Sequence, residues 1–161
     1  MKKKIIITGG LGYIGTELCK LYSGVSWNNE IIVIDNRFIS ERVNQIRNWN
    51  MEFVHGDVLD QKLINKHCKD ADIVHHLAGI TEVPRTKTES NEEKDEKIKL
   101  VAKEGTQNIL DVITKKCKII FPSTHVVYEG IESIKNNISE NESLKPLLSY
   151  SSSKAINEKQ L

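Results

Sequence analysis

A glycine-spaced turn near the amino terminus constrains this chain more than any other feature. Residues 8–15 read Thr-Gly-Gly-Leu-Gly-Tyr-Ile-Gly and join an isoleucine-rich run to a stretch with helical periodicity. Gly9 permits a tight turn, Gly12 lets the backbone come close to a bound group, and Gly15 lets the helix pack closely on the strand. The start of a helix also offers unpaired N–H groups and a positive dipole end. The segment therefore predicts a turn that binds a pyrophosphate.

Short apolar runs alternate with helical patterns along the rest of the chain. The runs are nearly continuous rather than alternating, as strands buried on both faces are; they are Ile5–Thr8, Ile31–Ile34, Met51–Val54, Ile73–His76 and Lys118–Phe121. The longest helical pattern covers about Glu92 to Lys116, and the last covers Tyr150–Leu161. Strand–helix–strand alternation predicts an α/β fold with a doubly wound parallel sheet of the Rossmann type and right-handed crossovers.

An acidic residue lies where a dinucleotide site needs one. Asp35 ends the second predicted strand, 20 residues after Gly15. A carboxylate there accepts hydrogen bonds from the adenosine ribose and repels a 2′-phosphate, which selects NAD over NADP. Arg37 leaves the alternative open, because its guanidinium could attract that phosphate.

Composition excludes several other classes of function. Lysine plus arginine number 23 and aspartate plus glutamate 22, so no charge excess indicates nucleic acid or an anionic membrane as a partner. The apolar runs are too short to span a bilayer, and the one behind the lysines at 2–4 is too short for a signal peptide. Three widely spaced cysteines, Cys19, Cys68 and Cys117, predict free thiols in a reducing cytoplasm. The histidines have no partner at a metal-ligand spacing, so we expect no metal site.

Five segments resemble, in order, the motifs of the extended short-chain dehydrogenase/reductases, the NAD-dependent epimerase/dehydratase family. They are Thr8–Gly15, Gly56–Val58, His76–Gly79, Phe121–Tyr128, and Pro146–Tyr150 followed by Lys154 and Glu158. The resemblance implies NAD as cofactor. It also implies which residues contact it: Gly9, Gly12, Tyr13, Ile14, Gly15, Asp35, Asn36, Asp57, Val58, Leu77, Ala78, Gly79, Tyr150 and Lys154.

The same resemblance implies a catalytic set of Thr124, Tyr150 and Lys154. Tyr150 and Lys154 are one helical turn apart and share a face. A nearby ammonium favours a phenolate, which can take a proton from a substrate hydroxyl as hydride leaves the same carbon. Lys154 would also hold the nicotinamide ribose, and Thr124 would bond the reacting oxygen.

The residues after Thr124 distinguish subfamilies. Sugar-nucleotide 4,6-dehydratases have Asp-Glu there, and the acids help to eliminate water, whereas this chain has His125 and Val126. The resemblance therefore implies a 4-epimerase type of reaction on a nucleotide-activated sugar. Val83–Thr86 is similar to a loop that lies near the substrate in some 4-epimerases, so Arg85 is a candidate substrate contact with a solvated loop residue as the alternative.

Three departures from the family pattern stand out. Residues 102–106 lack the asparagine of N-V-x-G-T, and Glu129 is an extra residue within V-Y-G. Family members have about 300 residues or more, which is consistent with a second domain beyond one core. We therefore expect residues 1–161 to be one NAD-binding Rossmann domain without the last strands and the carboxyl-terminal substrate domain, inactive alone, and a homodimer at full length.

Two other functions fit the same residues. One is an NAD(P)-dependent reductase or dehydrogenase that acts on a non-sugar hydroxyl or ketone, since fold does not fix substrate. The other is a catalytically silent module that binds NAD. The presence of Thr124, Tyr150 and Lys154 favours an enzyme.

Overall fold

The five apolar runs form one parallel sheet. The structure, a computed structural model, describes residues 2–81, 91–132 and 137–161. The strands are β1 Lys4–Thr8, β2 Glu30–Asp35, β3 Glu52–His55, β4 Ile73–His76 and β5 Lys118–Ile120. They lie in the order β3-β2-β1-β4-β5 and all pair in parallel. This order reverses direction at β1, as in the Rossmann fold, and the predicted fold class is confirmed.

Within the described residues, five α-helices connect and follow the strands: α1 Tyr13–Tyr22, α2 Ser40–Asn48, α3 Gln61–Cys68, α4 Glu92–Leu110 and α5 Ser149–Gln160. The prediction that the longest helix continues to Lys116 is wrong. The apolar stripe continues through Val112 and Ile113, but the chain leaves the helix after Leu110 and forms turns. Val112, Ile113 and Thr114 are β-branched, and such side chains lose rotamer freedom in a helix. None of the helices in the described ranges is both long and apolar enough to cross a bilayer.

The chain forms two compact units. The first contains residues 1–79 and 104–122, which include the whole sheet. The second contains residues 80–103 and 123–161, which include α5 and a 3-10 helix, His125–Tyr128. Helix α4 has residues in both units.

Apolar side chains of β1 and β2 build the core of the first unit. Ile7 and Val33 are fully buried, and α1 and α2 add Cys19, Val43 and Ile46 to the same cluster. Burying one such aliphatic side chain stabilises a fold by about 1.5–3 kcal/mol. Because β1 and β2 contribute to one cluster, the core holds in place the carboxyl ends of these strands, where the glycine turn begins.

A buried polar chain crosses the carboxyl ends of β1 and β4. The Thr8 hydroxyl bonds the Nδ1 atom of His76 at 2.9 Å, and Nε2 of His76 bonds the Thr106 hydroxyl of α4 at 2.9 Å. His76 is 2% exposed and Thr106 1%. Such groups require partners when water is excluded. His76 therefore links β1 to α4 through both of its ring nitrogens.

Helix α5 packs within the second unit through polar side chains. Ser149 donates to the Asp95 carboxylate, Asn157 donates to the Ala102 carbonyl at 2.8 Å, and Gln160 Nε2 donates to the Lys103 carbonyl at 3.0 Å. Asn157 is 4% exposed. Because polar side chains make these contacts, the sequence of α5 shows little apolar periodicity, and the buried face of the helix cannot be predicted from it.

We expect Thr106→Val to destabilise the protein by about 1–3 kcal/mol, because it removes the hydroxyl that bonds a buried ring nitrogen. Urea unfolding monitored by circular dichroism measures the change. Thr114→Val, at an exposed position, is the control and should change stability by less than about 0.5 kcal/mol. Equal stability of the two variants would contradict a structural role for the buried chain.

Candidate functional site

The turn after β1 is built from very close backbone contacts. Gly9 has φ +68°, in the left-handed region, and a Cβ there would lie 2.7 Å from the Ala78 nitrogen. A Cβ on Gly15 would lie 2.5 Å from the Gly9 oxygen. Both positions therefore require glycine. Gly10 was missed as a constrained position, since a Cβ there would lie 2.1 Å from Cγ1 of Val33.

The start of α1 fits a pyrophosphate. Gly12 precedes the helix without a side-chain cap, and the first turn carries no acidic residue. The N–H groups of Tyr13, Ile14 and Gly15 are in the first turn, where a helix supplies no acceptor. The side chains of Tyr13 and Ile14 are 84% and 59% exposed. A Cβ on Gly12 would lie 3.1 Å from the Gly9 oxygen, so this position is crowded as well. Backbone donors and a positive helix end suit a bound anion.

Asp35 ties the end of β2 to this turn. Its carboxylate accepts from the Leu11 N–H at 2.9 Å and from the Arg37 N–H at 3.0 Å. The Nε atom of Arg37 forms an ion pair with it at 3.1 Å, and the Asp35 side chain is 3% exposed. Arg42 donates to the Leu11 carbonyl. The sequence predicted a ribose-binding role for Asp35, but it did not reveal these contacts, through which Asp35 also holds the turn.

Asn36 joins the ends of β2 and β3. Its Nδ2 donates to the Asp57 carboxylate at 2.9 Å, and its backbone carbonyl bonds Nε2 of His55 at 3.0 Å. The ring of Phe38 lies 6.1 Å from that of His55, and Phe38 is 57% exposed. The structure thus brings together the predicted residues Asn36 and Asp57. Sequence reasoning missed His55 and Phe38, which no motif marked.

The predicted residues at the end of β4 meet the glycine turn. The Ala78 N–H donates to the Thr8 hydroxyl at 3.2 Å, and the Leu77 N–H donates to the Thr8 carbonyl at 3.2 Å. Gly79 is exposed. Leu77, Ala78 and the turn therefore form one continuous backbone surface.

Val58 has contacts of another kind. It is 5% exposed, and a Cβ on Gly105 would lie 2.7 Å from its Cγ2 atom. Its carbonyl accepts from Asn108 at 3.0 Å. The Val58 side chain thus packs against α4, which leaves its cofactor contact a prediction.

The second unit holds the three predicted catalytic residues. Thr124 begins the 3-10 helix, and its hydroxyl accepts from the Val126 N–H at 3.4 Å. Nζ of Lys154 lies 5.8 Å from the ring centroid of Tyr150, one turn earlier on α5. Burial lowers the pKa of Lys154 below its ordinary value. A cation so close to the ring can stabilise negative charge on the phenol oxygen.

Three further residues bear on the sequence analysis: Arg85, His75 and Ala102. Arg85 lies outside the described residues. His75 bonds the Tyr22 hydroxyl at 2.8 Å through Nε2, and burial lowers its pKa, with Lys118 adding to the effect. At the departure from N-V-x-G-T, the Ala102 carbonyl accepts from Asn157 of α5.

The strand order, the glycine turn and the Tyr150–Lys154 pair define a Rossmann protein of the short-chain dehydrogenase/reductase type. The chain belongs to the 3-beta hydroxysteroid dehydrogenase/isomerase family, whose model matches residues 6–161. This is a family of the NAD-dependent epimerase/dehydratase type, so the predicted family is confirmed.

Two of its relatives are named as enzymes of nucleotide sugars. The chain is 33% identical to CDP-paratose 2-epimerase of Salmonella typhi, over 85% of this chain and 41% of the relative. It is 31% identical to dTDP-D-glucose 4,6-dehydratase of Dictyostelium discoideum, over 95% and 38% of the two chains. The chain thus spans about two fifths of the length of these curated relatives.

Solved structures agree on the fold and the cofactor. UDP-glucose 4-epimerase from Brucella ovis, in complex with NAD, superposes with a TM-score of 0.76 at 30% identity, over 98% of this chain and 46% of that one. NAD is the cofactor of this family, which confirms the cofactor expected from the sequence.

We expect Gly15→Ala to destabilise the protein by more than about 1 kcal/mol, although alanine in a helix ordinarily stabilises by about that amount over glycine. The reason is the 2.5 Å approach of a Cβ to the Gly9 oxygen. Thermal unfolding measures the change. Gly24→Ala is the matched control, because a Cβ on Gly24 meets no atom within 4 Å. If both variants gain stability, the turn is not as closely packed as described.

We expect NAD to bind at least about tenfold more tightly than NADP, because the Asp35 carboxylate repels a 2′-phosphate. Calorimetric titration with each dinucleotide measures the ratio. Asp35→Asn should reduce this preference for NAD over NADP. Arg37→Leu should increase it, because the cation that could attract a 2′-phosphate is removed. Equal or tighter binding of NADP by the unchanged protein would contradict the role assigned to Asp35.

Proposed function

We propose that this chain is the NAD-binding part of an enzyme that interconverts nucleotide-activated sugars by reversible oxidation at a sugar hydroxyl, in the manner of a 4-epimerase. The observation that carries the proposal is the Tyr150–Lys154 pair, with 5.8 Å between the ammonium and the ring centroid. The curated relatives named above, which are a sugar-nucleotide epimerase and a dehydratase, support the substrate class.

The first unit would hold the cofactor through its backbone. The N–H groups at the start of α1 would receive the pyrophosphate, and Asp35 would receive the adenosine ribose. A ribose hydroxyl at Asp35 competes with the guanidinium of Arg37, whose side chain is 54% exposed and has solvent to move into. NAD, when bound, supplies a hydride acceptor that can return the hydride to the same carbon.

The second unit would handle the proton. The Tyr150 phenol oxygen takes the proton of the sugar hydroxyl during oxidation and gives it back during reduction. Lys154, which is half-buried and lies 5.8 Å from the ring centroid, would stabilise negative charge on the phenol oxygen during the transfer. The Thr124 hydroxyl already accepts from Val126, so its own hydrogen is available to the reacting oxygen.

The absence of acids after Thr124 supports epimerisation over dehydration. Eliminating water from a sugar requires a group that protonates the leaving hydroxyl. His125 is exposed, and Val126 offers no titratable side chain. The positions at which dehydratases have Asp-Glu therefore supply no carboxylic acid.

The family match favours a second candidate, a dehydrogenase of a sterol-type hydroxyl. The model that matches residues 6–161 is that of the 3-beta hydroxysteroid dehydrogenase/isomerase family. The same Tyr150 and Lys154 would perform the proton transfer, so the two candidates differ in substrate and not in these residues.

Two features of the setting complete the proposal. A reducing, cytoplasmic location is supported by three free cysteines, of which Cys19 and Cys68 are buried. A homodimer is the expected assembly.

We expect the polypeptide as the cell makes it to interconvert a nucleotide sugar with its 4-epimer, and Tyr150→Phe to reduce turnover by about 10²–10⁴-fold while NAD affinity is kept. Chromatography of UDP-, dTDP- and CDP-sugars after incubation measures the products. Tyr128→Phe, the same change elsewhere in the second unit, should keep activity. A 4-keto-6-deoxy product would contradict the argument from His125 and Val126, and oxidation of a sterol but no sugar would favour the second candidate.

A further inference from the structure

Glu129 lies just after the 3-10 helix and reaches the start of α5. Its carboxylate accepts from the Leu147 N–H at 2.7 Å, from the Leu148 N–H at 2.8 Å and from the Ser151 hydroxyl. It is the residue that is extra to the family's V-Y-G pattern. One side chain thus satisfies three donors at the start of the helix that carries Tyr150 and Lys154.

This contact lies just before the first turn of α5, because Leu147 and Leu148 both precede the helix. Leu148 is the residue before α5, and a leucine has no oxygen with which to accept from the helix N–H groups. A carboxylate at this end of a helix also interacts favourably with the helix dipole. Ser151 is 1% exposed and bonds the Leu148 backbone as well, so Glu129 is joined to a buried side chain of α5.

Backbone bonds hold Glu129 itself in place. The Lys145 N–H donates to the Val127 carbonyl, and the Gly130 N–H donates to the Lys145 carbonyl, each at 2.8 Å. A Cβ on Gly130 would lie 2.6 Å from the Lys145 oxygen, so the two segments touch there. The segment that begins at Thr124 is thereby joined to the start of α5.

The carboxylate is in its charged form at neutral pH. Partial burial raises the pKa of Glu129, but the hydrogen bonds from Ser151, Leu147 and Leu148 together outweigh this effect, and the pKa lies below its ordinary value. Charge-assisted bonds of this kind are stronger than neutral ones.

We propose that Glu129 is a positioning residue, which fixes the start of α5 against the Thr124 segment and so sets the orientation of Tyr150 and Lys154. Its catalytic meaning rests on the proposed function, but the positioning itself does not. The contacts that carry the inference all lie within the second unit.

The test compares Glu129→Ala and the milder Glu129→Gln with Glu140→Gln, a matched change at an exposed position of the preceding loop. In Glu129→Ala, amide exchange at Leu147 and Leu148 should accelerate about 10- to 100-fold, as expected when charge-assisted bonds are lost. Glu129→Gln keeps one acceptor oxygen and should show a smaller acceleration. Glu140→Gln should match the unchanged protein. Unchanged exchange in both Glu129 variants would overturn the inference.

The pKa of Lys154 distinguishes two effects of removing the Glu129 carboxylate: a change in the position of α5, and the loss of one negative charge. Removing a carboxylate lowers the pKa of a lysine through electrostatics alone. If α5 loses its position instead, Lys154 becomes more exposed and its pKa rises toward the ordinary value. We expect a rise in both Glu129 variants, measured by NMR titration of the Lys154 side chain, with Lys154→Arg identifying the signal. A fall or no change in the pKa of Lys154 would show that Glu129 only bonds the residues before the helix, and it would overturn the inference.

If the enzyme turns over a nucleotide sugar, Glu129→Gln should lower kcat by about 10- to 100-fold with little change in KM, as misplaced catalytic groups do. Unchanged kcat beside faster amide exchange would overturn the catalytic part of the inference. If the unchanged protein has no such activity, the proposed function fails, while the exchange and Lys154 measurements still decide whether Glu129 positions α5.

Discussion

The cofactor-binding unit depends on how closely the backbone of the glycine turn approaches its neighbours. Gly9 touches the end of β4, and Gly15 brings α1 against Gly9 and Gly10. A side chain at Gly9 or Gly15 would clash with these segments, so the close approach of α1, β1 and β4 requires glycine at both positions. Asp35 strengthens it by accepting the Leu11 N–H from the end of β2. The proposed anion site would therefore be a consequence of packing, since the contacts that fix the turn also place the first N–H groups of α1 at its end.

The two compact units are stabilised by different interactions. The first has an apolar core between a parallel sheet and its helices, with Ile7 and Val33 fully buried. In the second, α5 is held by hydrogen bonds from Ser149, Asn157 and Gln160 to α4 and by the carboxylate of Glu129. Directional bonds fix the rotation of a helix about its axis more strictly than apolar contact does. This suits a helix on which Tyr150 and Lys154 must face one reacting group.

The proposed chemistry divides in the same way. Backbone groups and Asp35 of the first unit are suited to binding, whereas Thr124, Tyr150 and Lys154 of the second unit are suited to proton transfer. The position of Lys154 matters most for this, because its half-buried ammonium lies 5.8 Å from the centroid of the Tyr150 ring. Glu129 connects the segment of Thr124 with the start of α5. Its hydrogen bonds therefore give a structural reason for a residue that the family pattern would treat as an insertion.

The sequence by itself determined the features that depend on near neighbours. Apolar runs identified the five strands, glycine spacing identified the turn, and the four-residue separation of Tyr150 and Lys154 placed them on one helix face. Only the tertiary structure decided the contacts between distant segments, such as Thr8 with His76, 68 residues apart, and Asn157 with Ala102, 55 residues apart. It also decided that Asp35 bonds the glycine turn and that Glu129 bonds the residues before α5. The physical reason is that periodicity reports which face of an element is buried, whereas a hydrogen bond across the fold depends on the relative placement of elements, which no local pattern records.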